Sequence, residues 1–188
     1  MEFFKFIVAQ IIKYTPQEWE GFASHIRVQD FKRNTFLAEA NRIPEEVFFI
    51  EKGLIRVLIN DSRGTEHTFH FATEGQFIAD YASYLRMQPA HYSLQALEDT
   101  RVVVIPRAAI DWGYAHMRQG EKLGRLVAEQ YFSYHDDRIK QTFSLTPKER
   151  YDKIEEVFPG ILNRIPQHMI ASYLGISSVH LSRIKNQK

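Results

Sequence analysis

The 188 residues include no cysteine. Disulfides, cysteine-held iron–sulfur clusters and thiol catalysis are therefore excluded. No apolar run approaches membrane-spanning length, so no membrane partner is expected. No internal repeat or low-complexity stretch is present. The start, Met1-Glu-Phe-Phe-Lys-Phe-Ile-Val-Ala, has an acid at position 2 and no small-residue cleavage site, so a cytoplasmic protein is expected. The signatures of common enzymes are missing too: no nucleophile elbow, no glycine loop of NTPase type, no paired metal-ligand spacing. Asp136-Asp137 and Glu155-Glu156 are adjacent pairs, which point to different sides of a helix. Neither an enzyme nor a metal site is expected. Hydrophobic residues make up 44%, an ordinary content for a chain that buries a core.

Acidic residues also stop early, with none after Glu156. The segment 157–188 holds Arg164, Arg183, Lys185 and Lys188, while residues 1–156 hold 20 basic and 23 acidic residues. A near-neutral total conceals a basic end on an acidic body. Nucleic-acid phosphates would dock at that end.

The same end carries the most informative pattern. Pro166 suits the first position of a helix, and Met169, Ile170 and Leu174 give that helix an apolar face. Gly175 supplies a tight turn, and Ser177 sits where an N-cap belongs. Leu181 and Ile184 then face back, while Ser178, Val179, His180, Ser182 and Arg183 point outward. This is a helix-turn-helix whose polar second helix suits a DNA major groove. A pair of packed helices with a solvated face is the plainer alternative.

Upstream, residues 1–25 read as helical. Phe4, Ile7, Val8, Ile11 and Ile12 form a stripe, and Thr15, Pro16 and Glu18 open a second helix. From Phe31 to Pro106 short strands alternate with Gly- and Asp-containing turns, as in a sandwich or small barrel. A short helical segment, Ala108–Met117, leads into a long helix, Glu121–Gln141. Leu123, Val127, Gln130 and Tyr134 share one face of it, flanked by Leu126. That helix has one side for the barrel and one for a second copy, so these five residues are the expected homodimer face. Thr146, Pro147 and Glu149 then make a capping-box signature opening the C-terminal domain. The expected division is 1–118, 119–143 and 144–188.

Helices, β-roll, long helix and helix-turn-helix, in that order, resemble the Crp/Fnr family of transcription regulators, in particular divergent members from Bacteroidetes-type bacteria. Three segments carry the resemblance: Phe48-Phe-Ile-Glu-Lys-Gly-Leu-Ile-Arg-Val, Gly75-Gln-Phe-Ile-Ala-Asp, and Ile170-Ala-Ser-Tyr-Leu-Gly-Ile-Ser-Ser-Val-His-Leu-Ser-Arg-Ile. The implied fold class is α+β, with an antiparallel β-roll of jelly-roll type and a helix-turn-helix lacking a full wing. The implied function is sequence-specific binding of double-stranded DNA, on a palindromic operator, by a homodimer. RNA polymerase is a further partner the family allows. Ser177, Ser178, Val179, His180, Ser182, Arg183 and Lys185 become the DNA-contacting set. Arg183 is the guanine reader, since a guanidinium can bond both acceptors of that base.

The resemblance further implies an effector pocket at Gly75, Ile78, Ala79, Asp80, Arg86, His91 and Tyr92. In cyclic-nucleotide-binding relatives a Gly-Glu pair holds the ribose and an Arg-Ser pair the phosphate. Here those positions read Ala79-Asp80 and Ala90-His91, so the phosphate's paired charge is missing. Arg86 or His91 could substitute. Three alternatives stand: another effector, a pocket filled by Tyr81, Tyr84 and Tyr92, or cyclic AMP in altered geometry, the least favoured. A haem would need His67 or His70 as an axial ligand. No cofactor is assigned.

Overall fold

The computed structural model describes residues 1–186. Helices α1 (Glu2–Ile11) and α2 (Pro16–Ala23) come first. Thr15 accepts from the backbone N–H of Glu18 while the Glu18 carboxylate returns to Thr15, so the helix start expected at these residues is a capping box. Eight strands follow as two antiparallel four-stranded sheets, α+β in class with the helices outside. One sheet runs β1 (Arg27–Phe31), β8 (Thr100–Pro106), β3 (Glu46–Lys52), β6 (Phe77–Ile78). The other runs β2 (Phe36–Ala38), β7 (Ser93–Ala96), β4 (Ile55–Asn60), β5 (Glu66–Ala72).

The continuous apolar run Val47-Phe-Phe-Ile reflects a strand covered on both sides. Phe48 and Ile50 point into the roll with Val57, Leu94, Val102 and Val104. Phe49 points out, beneath Phe4, Val8, Trp19 and Phe22 of α1 and α2. Gly53 takes φ +112 between β3 and β4, and a Cβ there would run into Thr100. This explains the strand–Gly–strand signature. Strands β1, β2 and β6 escape the sequence pattern, since β2 and β6 are only three and two residues long and β1 is exposed at four of its five residues.

Helix α3 (Tyr81–Arg86) sits between β6 and β7, and α4 (Arg107–His116) leads into α5 (Gly120–Ser144). At 25 residues, α5 spans about 37 Å. Its glycines are close-approach positions: a Cβ on Gly120 would meet the Gly113 carbonyl, and one on Gly124 the ring of Tyr114.

The C-terminal part comprises α6 (Pro147–Asp152), α7 (Ile154–Val157), a 3-10 turn at Ile161–Asn163, α8 (Gln167–Leu174) and α9 (Ser178–Asn186). Thr146 and Glu149 form the capping box expected there. Pro166 is the N-cap of α8 rather than its first residue. No strand follows Pro106 among the described residues. The core here is shared: Ile154, Phe158, Ile161, Ile170, Leu174 and Leu181 pack together with Leu54, Phe71 and Leu97 of the roll.

Candidate functional site

Helices α8 and α9 meet at Gly175, which caps α8 in the left-handed region at φ +68. Ser177 Oγ accepts the backbone N–H of His180 at 3.1 Å, as an N-cap should. Leu181 and Ile184 are buried against α8 and its neighbours. That anchoring turns Ser177, Ser178, Val179, His180, Ser182, Arg183 and Lys185 outward, and all seven are exposed. Val179, an apolar residue, is 64% exposed. Among the described residues neither Arg183 nor Lys185 is in an ion pair. The face can therefore offer a guanidinium, an ammonium, hydroxyls and an imidazole to a ligand.

The basic end is smaller than its sequence suggests. Arg164 is turned inward, donating to Glu74 at 2.8 Å and to Glu98 at 2.6 Å, both on the roll. Those carboxylates, Glu98 first, push its affinity for a proton further up. Its charge thus ties the C-terminal part to the roll. Lys188 lies outside the described residues.

The roll side is organised by Asp80. It is 4% exposed and caps α3: one carboxylate oxygen accepts Ser83 N–H at 3.2 Å. The other accepts His91 N–H at 2.7 Å and Tyr92 N–H at 3.3 Å. Three backbone donors of the phosphate-cassette segment are thus already taken by the protein's own anion. Beside it, a cavity of about 340 Å³ opens into the roll. Its wall includes Ala79, Asp80, Tyr92, Phe48 and Leu94, with Glu39, Glu45, Glu46 and Arg42 toward the rim. One guanidinium against four carboxylates is a poor setting for a phosphate.

The other expected pocket residues are dispersed. Arg86, at the end of α3, and His91 are both exposed, and neither lines the roll cavity or the one under α5, so neither stands in place of the missing arginine there. Gly75 forms a positive-φ turn near Phe3, and Ile78 and Ala79 line a second cavity under α5. Of the three tyrosines expected to fill the roll, only Tyr92 does so. It stacks on Phe69 at 4.5 Å, and Phe69 stacks on His135 of α5. Tyr81 and Tyr84 pack outside it, against Val47 and Ala79. His67 lies beside Asp61, whereas His70 is buried beneath α5.

The packing of α5 places the five residues of the expected dimer face differently. Leu123 lies against the α1–α2 core, Val127 and Gln130 line the cavity under the helix, and Tyr134 is packed with Phe158 and Tyr173. Leu126 is half-buried. Leu123, Val127 and Tyr134 thus face the chain's own domains, while Gln130 is exposed. The apolar residues turned to solvent are Phe132, Ile139 and Phe143, at 70%, 59% and 88% exposed. An amphipathic stripe read from sequence cannot say which of two apolar faces meets its own domain.

A joint missed in the sequence links the three parts. Tyr134 OH of α5 lies 3.1 Å from Tyr173 OH of α8, and Arg138 donates to the Tyr173 carbonyl at 3.1 Å. The Oγ of Ser172 accepts Thr68 N–H of β5 at 2.8 Å. Within this joint His70 Nδ1, His135 Nε2 and Arg138 Nη1 are buried without partners. Burial first, then the Arg138 charge, pushes His135 down to about 4. Burial, His135 and Arg138 push His70 well below the usual imidazole range. Only the folding brings residues 70, 135 and 173 together, and no sequence signal marks them.

Residues 28–115 match the family model of the cyclic nucleotide-binding domain, so the roll is a domain of that class. The architecture as a whole is that of the Crp/Fnr regulators, as the resemblance implied. FixK2 from Bradyrhizobium japonicum superposes with TM-score 0.72 at 16% identity, over 86% of this chain and 83% of that one. A putative Crp/Fnr regulator from Eubacterium rectale gives 0.71 at 16%, over 92% and 82%. The regulator CLP of Xanthomonas campestris, described as responsive to c-di-GMP, gives 0.69 at 10%, over 92% and 91%. No curated protein matches the sequence.

Proposed function

We propose that this chain is a homodimeric, sequence-specific transcription regulator that binds double-stranded DNA through α9. The carrying observation is the outward face of that helix: Ser178, Val179, His180, Ser182 and Arg183 stand exposed on a backbone pinned by Leu181 and Ile184. Arg183 addresses a guanine, Val179 a thymine methyl, and Ser177 and Lys185 the phosphates. Two copies meet along α5 through Phe132, Ile139 and Phe143 and present two α9 helices to a palindromic operator. Reading heads about 34 Å apart fit successive major grooves. The working division is a sensor over 1–118, the long helix over 119–143 and the reader over 144–188, acting in the cytoplasm with RNA polymerase as a downstream partner.

The sensor does not take cyclic nucleotides. Asp80 already occupies the cassette's backbone donors, and the one arginine of the adjoining cavity, Arg42, shares it with Glu39, Glu45 and Glu46. Regulation proceeds instead by shifting the population between dimer geometries through the Tyr134–Tyr173 joint. Selection from random duplex DNA tests the reading. The wild-type protein should enrich a palindrome, with affinity falling steeply as salt rises. Arg183→Ala should lose preference at one base per half-site, weakening it by about 1–3 kcal/mol. An Arg183→Ala protein that selects the same site with undiminished preference would refute the assignment.

A further inference from the structure

The C-terminal helices meet the roll and α5 at a contact that contains two imidazoles and a guanidinium. His70 comes from β5 and His135 from α5, with ring centroids 5.7 Å apart. The Arg138 guanidinium lies over the rings of Phe69 and Tyr173, at 5.1 Å and 4.3 Å. Phe158, just past α7, reaches the His70 ring at 5.7 Å.

The other charged or titratable groups on these elements are phenols or are engaged elsewhere. Tyr131 and Tyr134 of α5 meet the His135 ring, and Tyr134 OH is shared with Tyr173 OH of α8. On α5 Asp136 pairs with Lys140, and Asp137 is exposed. On β5 Glu66 pairs with Arg56, and His67 with Asp61. Glu155 of α7 accepts from the Gly160 and Leu162 N–H groups, while Glu156 and His168 are exposed. The Asp80 charge acts on Tyr92 and Tyr131 but on neither imidazole. Among the described residues, then, no carboxylate answers a charge on His70 or His135.

A proton on either ring would set a second positive charge beside Arg138 where water is scarce and no counter-charge stands. Burial is the main cause that holds both imidazoles below their usual range, His135 down to about 4. Freed into water, each returns to a value near ~6.5. The freed arrangement therefore binds more protons, and it gains on the closed one as pH falls below that value.

We infer that this contact is a proton-operated latch, in which uptake of protons by His70 and His135 frees the C-terminal helices from the roll. The bond from Thr68 N–H to Ser172 Oγ crosses the contact and would break on release. Leu54, Phe71 and Leu97 of the roll would lose their cover. Any consequence for DNA rests on the proposed reading; the latch itself does not.

Hydrogen exchange of the full chain in low urea, at about pH 7.5 and about pH 5.5, tests it. Thr68 and the amides of α8 should exchange through an opening with a shallower urea dependence than β3 and β8, because release exposes less surface than global unfolding. Their protection should fall about tenfold per histidine between the two pH values. His135→Gln should remove one tenfold step, and His70→Gln the other. Either variant is read alone if its counterpart does not fold. Exchange of Thr68 and α8 only together with β3, at the same urea slope, would mean that no separate release occurs and would overturn the latch. So would a separate opening that ignores pH, or one whose pH response survives both substitutions. A chain that opens in this way yet selects no DNA would defeat the proposed regulator and leave the latch standing.

Discussion

Replacing Asp80 with alanine should destabilise the protein by about 3 kcal/mol. The carboxylate is 4% exposed and accepts three backbone N–H groups, from Ser83, His91 and Tyr92. Loss of an N-capping aspartate costs about 1 kcal/mol. Each of the two loop donors left without an acceptor adds about 1 kcal/mol, the low end for a buried unpaired group because part of that loop can reach water. In a chain of 188 residues each kcal/mol moves the midpoint by about 2–4 °C, so a fall of about 6–12 °C is expected. Asp80→Asn keeps one acceptor oxygen and should lose roughly half as much. Calorimetry or a urea titration read by tryptophan fluorescence measures this directly. The unfolding slope should be unchanged, since the same surface is exposed. A loss below about 1 kcal/mol for the alanine variant would mean that Asp80 does not hold the cassette closed, and the argument against a cyclic nucleotide would lose its basis.

Other outcomes follow from the same geometry. Excess cyclic AMP should leave the wild-type midpoint unmoved, a clear rise being the contrary result. Both His70 and His135 have folded-state proton affinities below the unfolded value near 6.5, so the unfolded chain binds more protons and stability falls as pH drops below about 6.5. Glu18 and Asp61, held down to about 2 by backbone N–H donors, stay ionised until well below pH 5, so the decline between pH 6.5 and 5 belongs to the histidines. His135→Phe should flatten that part of a stability-versus-pH curve, and an unaltered slope would exclude the joint as its source. Arg164→Met removes the ties to Glu74 and Glu98 and should cost about 1–2 kcal/mol, with faster amide exchange in α8 as a second readout. Phe132→Glu combined with Ile139→Glu should give a monomer in analytical ultracentrifugation while changing the monomer's stability little, because both side chains are largely exposed. A dimer that persists would place the contact elsewhere.

Much of the fold was legible because local chemistry specifies it. Both capping boxes, at Thr15 and Thr146, are written in four consecutive residues each. The turn at Gly175 needs the positive φ that glycine adopts freely, and the α9 face follows from helical period alone. Hence the α8–α9 helix pair could be read almost residue by residue. The strands with continuous apolar runs were equally plain, whereas β1, with four of its five residues exposed, gave no pattern to find.

The candidate sensor was less legible, since its residues answer to partners far away in sequence. Asp80 looked like a ribose acceptor, yet a carboxylate's role depends on which donors reach it, and these come from residues 83, 91 and 92. Arg164 adds to the basic end in sequence, yet its charge is paired with Glu74 and Glu98 of the roll. Of the stripe from Leu123 to Tyr134, Leu123, Val127 and Tyr134 pack on the chain's own domains, which the helical period alone does not reveal. Sequence by itself determined the order of elements, the turns and caps, and the exposed chemistry of α9, because these depend on neighbours within a helical turn. Tertiary structure decided which face of α5 meets the roll, which charges are neutralised, and that His70, His135, Arg138 and Tyr173 form one buried joint, because those facts depend on contacts across 35 to more than 100 residues of chain.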